Sequence, residues 1–231
     1  MTDGPARHEP PTEDNPGAEA DAKRTTPQRV TPKHAASVIL WRQGKDGPEV
    51  LMGLRHARHR FMPNALVFPG GRVDRADHRA TAMRELPEFT LACLRRQAPP
   101  SLARALGIAA ARELHEETGL VLGRMEGHAL LPDLGVLEYL CRAVTPPRLP
   151  RRFNARFLIA PAEAAHGTLR GSGELEELRF FGFEDAFRHR IASITAKVLA
   201  EFREWLAMTP EERLARELIC FRGQDTRLPE R

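Results

Sequence analysis

Three glutamates near the middle of the chain, Glu113, Glu116 and Glu117, are spaced for metal chemistry. In a helix, positions i, i+3 and i+4 lie on one face, so the spacing forces these carboxylates close together. Crowded like charges destabilise a helix unless a cation neutralises them, and Mg²⁺ and Mn²⁺ prefer oxygen ligands. The spacing therefore indicates a divalent-cation site, although a solvated acidic helix face has the same pattern. Gly119 is expected to end the helix.

The residues around these glutamates resemble a known motif. Residues 112–120, Arg-Glu-Leu-His-Glu-Glu-Thr-Gly-Leu, resemble the second half of the Nudix signature, G-x5-E-x7-R-E-U-x-E-E-x-G-U, in which U is aliphatic. Residues 67–71, Val-Phe-Pro-Gly-Gly, supply the glycine pair with which the first half begins. Asp77, six residues after Gly71, stands where the family usually has Glu. The resemblance covers roughly residues 35–206 and implies an α/β fold, the Nudix α/β/α sandwich with a mixed sheet.

The spacing between the two halves departs from the signature. The family has seven residues between the first acid and the arginine, whereas residues 78–111, 34 in all, separate Asp77 from Arg112 here. The extra length predicts an insertion at about residues 79–106. It should form a short helix on the rim of the site, and Ser101 should cap the helix that carries the glutamates. A Nudix subgroup with such a split signature includes coenzyme A diphosphatases, which this chain resembles.

The resemblance also implies roles for the acidic residues. Glu113 and Glu117 are implied as ligands of Mg²⁺ or Mn²⁺. Glu116 is implied as a further ligand or as the general base. The close backbone approach that glycine allows suggests the carbonyl of Gly71 as an added ligand.

The roles of Arg112 and of Asp77, which is shorter than the usual Glu, are predicted separately. Arg112 is expected to point off the acidic face and to pair with an acid of the preceding loop, such as Asp77. The family role of the acid at Asp77 is then open to another carboxylate. Glu174 and Glu177, just before or within a predicted strand, are candidates to complete the metal shell or to act as base, and a solvated acidic loop explains each of them equally well.

Two arginine-rich stretches, at residues 55–60 and 148–154, are candidates for binding phosphate. Guanidinium groups form paired hydrogen bonds with phosphate oxygens. Each stretch partly resembles a segment of coenzyme A-cleaving or split-signature Nudix proteins. Arg55 and Arg152 are the predicted substrate contacts, with a solvated basic surface as the alternative.

The first 33 residues differ in composition from the rest of the chain. Residues 1–33 have almost no large apolar side chains, so they are expected to form a disordered tail. Residues 34–231 are expected to form one Nudix domain. The predicted strands cover residues 36–41, 49–55, 135–144, 153–160 and 175–183, and the predicted later helices cover residues 191–208 and 210–218.

Composition narrows the classes of partner and compartment. A net charge of +4 on 231 residues is mild and does not predict a nucleic-acid partner. No apolar run reaches the length of a membrane span. The three scattered cysteines indicate neither a disulfide framework nor a zinc site, and they suit a reducing cytoplasm. The oligomeric state is left open, with a homodimer as one option.

The resemblance implies a metal-dependent hydrolase that cleaves the diphosphate bond of a small nucleoside-diphosphate conjugate. Coenzyme A or acyl-CoA is the first substrate to test. One alternative is a Nudix-fold sensor that binds a nucleotide without cleaving it, which Asp77 and the insertion favour. Another is an enzyme that processes RNA ends through the arginine-rich stretches, which the modest charge disfavours.

Overall fold

A computed structural model describes residues 30–56, 64–223 and 226–230. Most of the predicted tail, residues 1–29, lies outside the described residues, as do residues 57–60 of the first arginine-rich stretch. Among the described residues, no helix combines the length and the apolar character needed to cross a bilayer.

The described residues form twelve strands in two sheets. In chain order the strands are β1 Lys33–Gly44, β2 Gly47–Arg55, β3 Leu66–Val67, β4 Gly70–Arg72, β5 Leu120–Glu126, β6 Ala129–Pro132, β7 Glu138–Val144, β8 Phe153–Pro161, β9 Ala165–Gly167, β10 Leu175–Gly182, β11 Ile219–Arg222 and β12 Thr226–Pro229. The main sheet has the order β10-β2-β1-β8-β7-β11-β12, with β3 beside β2 and β4 beside β1. It is mixed, because β1 with β8 and β7 with β11 are parallel and the other pairs are antiparallel. The small sheet has the order β6-β5-β9.

Five helices lie against the two faces of the main sheet or at its edges within the described residues. They are α1 Glu88–Arg95, α2 Pro100–Thr118, α3 Phe183–Arg188, α4 Ser193–Ala207 and α5 Pro210–Ala215. Side chains alternate between the two faces along a strand, so β1 serves two cores. Val38 of β1 packs with Leu114 of α2 on one face, and Ile39 packs with Phe202 of α4 on the other. The predicted α/β/α sandwich with a mixed sheet is confirmed.

The long helix α2 carries the three glutamates and ends as predicted. Gly119 adopts the left-handed conformation with φ 72°, and its N–H donates to the carbonyl of His115, which is the usual use of glycine at a helix end. The predicted start is wrong. The cap residue is Pro99 and Pro100 is the first helical residue, since proline lacks the N–H that this position leaves unpaired. Ser101 therefore lies inside the helix.

The insertion at residues 79–106 packs into the core. It contains α1 and the first turns of α2, and Leu94 of α1 is buried. Thr90 Oγ1 donates to the carbonyl of Leu137 at 2.9 Å. Arg84 forms two hydrogen bonds, of 2.8 and 2.5 Å, with the carboxylate of Asp133. The insertion is thus fastened to the segment before β7, and the expected position of its helix on the rim of the site stays a prediction.

Two element boundaries differ from the predicted ones for identifiable reasons. β7 begins at Glu138, because Leu134–Val136 form a 3-10 turn capped by the Asp133 side chain. The last helix ends at Ala215 and not near residue 218. There the Arg216 side chain donates to the carbonyls of Tyr139 and Leu140, at 2.7 and 2.6 Å, beside an irregularity in β7. The chain then continues as β11.

Candidate active site

The structure brings the Gly-Gly bend against the glutamates at the end of α2. The N–H of Gly70 donates to Glu117 Oε2 at 2.9 Å. A Cβ placed on Gly71 would lie 2.2 Å from the carboxyl carbon of Glu113, so a side chain at this position would displace that carboxylate. The two halves of the signature are therefore in direct contact, despite the residues inserted between them.

Strand β1 holds the bend from its other side. Gly70 and Gly71 of β4 pair with Ser37 and Ala36 of β1. A Cβ on Gly70 would lie 2.5 Å from the carbonyl oxygen of Ala36. The bend is thus clamped between the backbone of β1 and the carboxylates of α2, which fixes its position in the site.

Burial dominates the electrostatics of the two inner carboxylates. Glu117 is 5% exposed, and burial raises its pKa to about 8, with the Glu113 and Glu174 carboxylates raising it further and the Gly70 N–H and Arg55 opposing the rise. Burial also raises the pKa of Glu113, against the opposing effect of Arg112. Without a cation, the site therefore favours a proton on Glu117 near neutral pH.

Arg112 lies across the acidic face, so the expectation that it points away is wrong. Its Nη1 donates to Glu113 Oε1 at 2.8 Å and to Glu116 Oε2 at 2.9 Å. Glu116 itself is exposed, with 54% of its side chain accessible. A guanidinium has five N–H donors in one plane, which lets a single arginine serve several acceptors.

The same arginine also makes the predicted pairing with Asp77. Arg112 Nε lies 2.9 Å from Asp77 Oδ1, and Nη2 lies 3.1 Å from Oδ2. Asp77 is 1% exposed and also accepts from the N–H of Asp74 at 2.7 Å. Arg112 Nη2 further donates to the carbonyl of Arg72. Asp77 therefore anchors the loop after β4 to α2.

The two accessory acids differ in their relation to the site. Glu174 precedes β10, and its carbonyl accepts from the N–H of His56 at 3.1 Å. Its carboxylate raises the pKa of both Glu113 and Glu117. Glu177 is exposed in an irregularity of β10, with φ 46°. The Glu174 carboxylate therefore acts electrostatically on the acidic face, whereas Glu177 lies exposed on β10.

The two predicted substrate arginines also differ. Arg55 ends β2, is half-buried and lowers the pKa of Glu117, so its charge acts on the site. Arg152 is 6% exposed and donates to the carbonyls of Thr145 at 3.1 Å and Val30 at 2.6 Å. Arg152 thus holds the backbone before β1 against the start of β8.

The carboxylates of the site provide the oxygen ligands that a hard divalent cation prefers. Only some of these carboxylates are also arranged as ligands of one ion. Within residues 30–56, 64–223 and 226–230, no three His, Cys, Asp or Glu side chains form a ready arrangement around one ion. Glu113 and Glu117 are one turn apart against the bend, however, and Mg²⁺ is often held by one or two carboxylates with water in its other positions. Glu116 is engaged by Arg112 and would have to exchange that contact to become a ligand.

Sequence reasoning missed a second group of charged residues, buried under α1. Arg142 and Arg156 lie in mostly apolar strands and are 6% and 1% exposed, and Glu230 is 5% exposed. An arginine within an apolar strand was the available signal. Its acidic partner could not be identified, because 88 positions separate Glu230 from Arg142.

Comparisons with known proteins give matches among solved structures. No protein-family model matches the chain, and no curated protein sequence does. A Nudix hydrolase from Alicyclobacillus acidocaldarius is similar in structure, with a TM-score of 0.61 and 23% identity over 81% of this chain and 97% of that one. The NUDIX domain of Shewanella oneidensis NrtR, complexed with ADP ribose, has a TM-score of 0.51 and 15% identity over 77% of this chain and 90% of that one. At these identities the similarity establishes the fold, and the chain has the fold of the Nudix hydrolases.

Proposed function

We propose that this protein is a Mg²⁺- or Mn²⁺-dependent hydrolase that cleaves the diphosphate bond of a small nucleoside-diphosphate conjugate. The observation that supports this most is the contact of the Gly70–Gly71 bend with Glu113 and Glu117. Burial raises the pKa of both carboxylates, and a divalent cation bound between them would offset the cost of ionising them. A role in cation binding explains why they are gathered there.

Glu113 and Glu117 would hold the cation, and the carbonyl of Gly71 is the proposed added ligand. A divalent cation at this position supplies neutralisation of the diphosphate charge and makes a coordinated water more acidic. Residues of this chain position the ligands and the loop beside them. The bend fixes Glu117 through its N–H, and the Asp77–Arg112 pair fixes the loop that follows the bend.

The proton acceptor and the phosphate contact come from side chains at the edge of this face. Glu116 is exposed, and Glu174 acts electrostatically on both inner carboxylates, so each is a candidate to accept a proton from the attacking water. Arg55 carries a positive charge that already acts on Glu117, and we assign it to the diphosphate. Arg152 is not included, because its guanidinium is used by backbone carbonyls.

Coenzyme A or acyl-CoA is the proposed substrate, on the split signature and the partial match around Arg55. The test is a panel of coenzyme A, NADH, ADP-ribose and oxidised dGTP with Mg²⁺ or Mn²⁺, followed by chromatography of the products. Coenzyme A should give adenosine 3′,5′-bisphosphate, and Glu117→Gln should abolish this product while the protein stays folded. Turnover of another conjugate would change only the proposed substrate. If none of the four compounds is hydrolysed, the proposed hydrolase activity is wrong.

A nucleotide sensor without hydrolysis is the second candidate, and Arg112 favours it. Its guanidinium already neutralises Glu113 and Glu116, so the acidic face is partly satisfied without a cation. The Shewanella domain with the same fold is described in complex with ADP ribose. Metal-independent binding of ADP-ribose by calorimetry, with no hydrolysis on the panel, would support the sensor over the hydrolase.

A further inference from the structure

A second buried charge cluster lies on the sheet face that α1 and α2 cover. Arg156 of β8 is 1% exposed. Its Nη1 lies 3.0 Å from His34 Nδ1, and Nη2 donates to the carbonyl of Gln97 at 3.0 Å. These acceptors are a histidine and a backbone carbonyl, and Nη1 also donates to a further carbonyl, that of Asn154. None of these three is a carboxylate. The guanidinium therefore brings positive charge into the interior without a directly bonded acid among these partners.

Arg142 of β7 adds a second guanidinium to the same cluster. It is 6% exposed, and its Nε donates to Asn154 Oδ1 at 2.7 Å. Burial and the charge of Arg142 together lower the pKa of Arg156 to about 10. Two buried cations near one another require an anion, because an uncompensated buried charge is strongly unfavourable.

Glu230 supplies that anion. Its Oε1 accepts from Arg142 Nη1 at 3.2 Å, and its Oε2 accepts from the hydroxyl of Tyr139. One donor for each oxygen matches a carboxylate, whereas a phosphate dianion would leave more oxygens without donors. Arg156 acts on this carboxylate by its charge.

Besides Glu230, the segment that carries it is attached through Arg227 of β12, whose Nε donates to the buried carboxylate of Glu201 at 3.1 Å. All four residues of β12 are exposed, and this strand pairs with β11 at the edge of the sheet. Glu230 is buried, with its N–H donating to the carbonyl of Leu218 at 2.7 Å. A single buried side chain therefore brings the anion from an exposed strand to donors that belong to another part of the fold.

We propose that Tyr139, Arg142 and Arg156 form an anion-binding pocket, in which the Glu230 carboxylate is the resident ligand and which accepts a free monocarboxylate when that side chain is absent. The donors lie on β7 and β8 in the middle of the sheet, so they are preorganised without Glu230. The residual positive charge of the arginine pair supplies the attraction. The ligand class is a small carboxylate, such as acetate.

Chemical rescue tests the pocket. Glu230→Ala should lower the Tm in chloride buffer. Acetate at the same ionic strength should then raise the Tm progressively toward that of the unsubstituted protein, because a ligand that binds only the folded state stabilises it by mass action. The unsubstituted protein should not respond, since Glu230 fills the pocket. Glu204→Ala is the matched control, because Glu204 is 60% exposed and pairs with Arg227 at 3.6 Å.

Two further measurements locate the effect. In the Glu230→Ala background, Tyr139→Phe removes one donor and should raise the acetate concentration needed for half-maximal rescue several-fold. If Glu230→Ala does not fold in chloride, refolding yield in acetate and in chloride replaces the Tm. Equal Tm or equal yield in the two salts would overturn the pocket and leave a plain internal ion pair. So would rescue that does not depend on Tyr139.

Discussion

Arg112 and Asp77 form two hydrogen bonds, of 2.9 and 3.1 Å, across a separation of 35 positions in the chain. The pair closes the ends of the insertion, because Asp77 precedes it and Arg112 follows it. The same guanidinium reaches Glu113 and Glu116. The insertion therefore lengthens the chain between the two halves of the signature without separating them in space.

We expect Asp77→Asn to destabilise the protein strongly. It removes the charge of the most buried of the three carboxylates that accept from Arg112, and breaking one partner of a buried pair costs about 3–5 kcal/mol. Asp185→Asn is the matched control, because the Asp185–Arg179 pair at 2.8 Å is largely exposed and such pairs contribute about 0–1 kcal/mol. Urea unfolding of both variants measures the difference. Equal losses of unfolding free energy would contradict the anchoring role of Asp77.

We expect Glu117→Gln to abolish activity and to stabilise the cation-free protein at alkaline pH. Burial raises the pKa of Glu117 to about 8 from an ordinary value of 4.5. A raised carboxyl pKa contributes stability that is fully present below the ordinary value and is lost as pH rises through the folded value. Glutamine stays neutral, so its Tm advantage should grow between pH 4.5 and about 8 and then level off.

Thermal unfolding of Glu117→Gln and the unsubstituted protein in EDTA, from pH 4 to 9, measures this advantage. Added Mg²⁺ should raise the Tm of the unsubstituted protein above pH 8 and leave that of Glu117→Gln almost unchanged. A Tm difference that does not vary with pH would contradict the assigned titration. The lost activity should correspond to a fall in kcat/KM of about 10²-fold or more, because a bound cation contributes several kcal/mol to the transition state.

We expect alanine at the two glycines of the bend to act differently. In Gly70→Ala, the Cβ meets backbone, with the Ala36 oxygen at 2.5 Å, so the stability loss should be about 1–3 kcal/mol. In Gly71→Ala, the Cβ meets the movable end of Glu113, so activity should fall with a smaller loss of stability. Gly182→Ala is the control, since nothing lies within 4 Å of its Cβ position. Tm and turnover of all three variants test the distinction.

We expect substitutions of the two accessory acids, Glu174 and Glu177, to differ in their effect on cation affinity. Glu174→Gln removes a negative charge that acts on Glu113 and Glu117, so Mn²⁺ binding should weaken. Glu177→Gln removes an equal charge from the exposed irregularity of β10 and should leave the Mn²⁺ affinity almost unchanged. Titration calorimetry with Mn²⁺ compares the two variants. A larger effect at Glu177 would reverse the assignment.

We expect alanine substitutions of the two predicted substrate arginines to show their effects in different assays. Arg55→Ala should raise KM for the diphosphate substrate, because its charge acts on the site. Arg152→Ala should lower Tm with little change in KM, because it leaves the carbonyls of Val30 and Thr145 without their donor. A rise in KM alone for Arg152→Ala would restore the sequence prediction for that residue.

The sequence predicted the features that depend on local pattern. The apolar alternation of β1, β2, β8 and β10 and the glycine end of α2 are properties of short segments, and they are found where expected. The start of β7 and the end of α5 were wrong, because distant partners decide them: Asp133 caps a 3-10 turn, and Arg216 binds carbonyls of β7.

The candidate site was predictable to the same extent. Helical spacing placed Glu113, Glu116 and Glu117 on one face, and the glycine pair suggested the bend beside them. The reach of Arg112 across that face depends on a flexible side chain with several acceptors, which helical periodicity does not specify. The burial of Glu117, and with it the raised pKa, depends on packing against β1 and β4, which lie more than 40 positions away.

The closure by Asp77 and Arg112 has a consequence for how such chains can diverge. The entropy lost when a loop is closed grows only slowly with loop length. Once two fixed points hold the ends, residues can be added to an exposed loop between them at little thermodynamic penalty, whereas α1 and the first turns of α2 are held by the core. Natural variants of this protein should therefore differ in size mainly in the exposed loop of this interval, and a foreign peptide introduced there, for example after Arg79, should be tolerated without disturbing turnover.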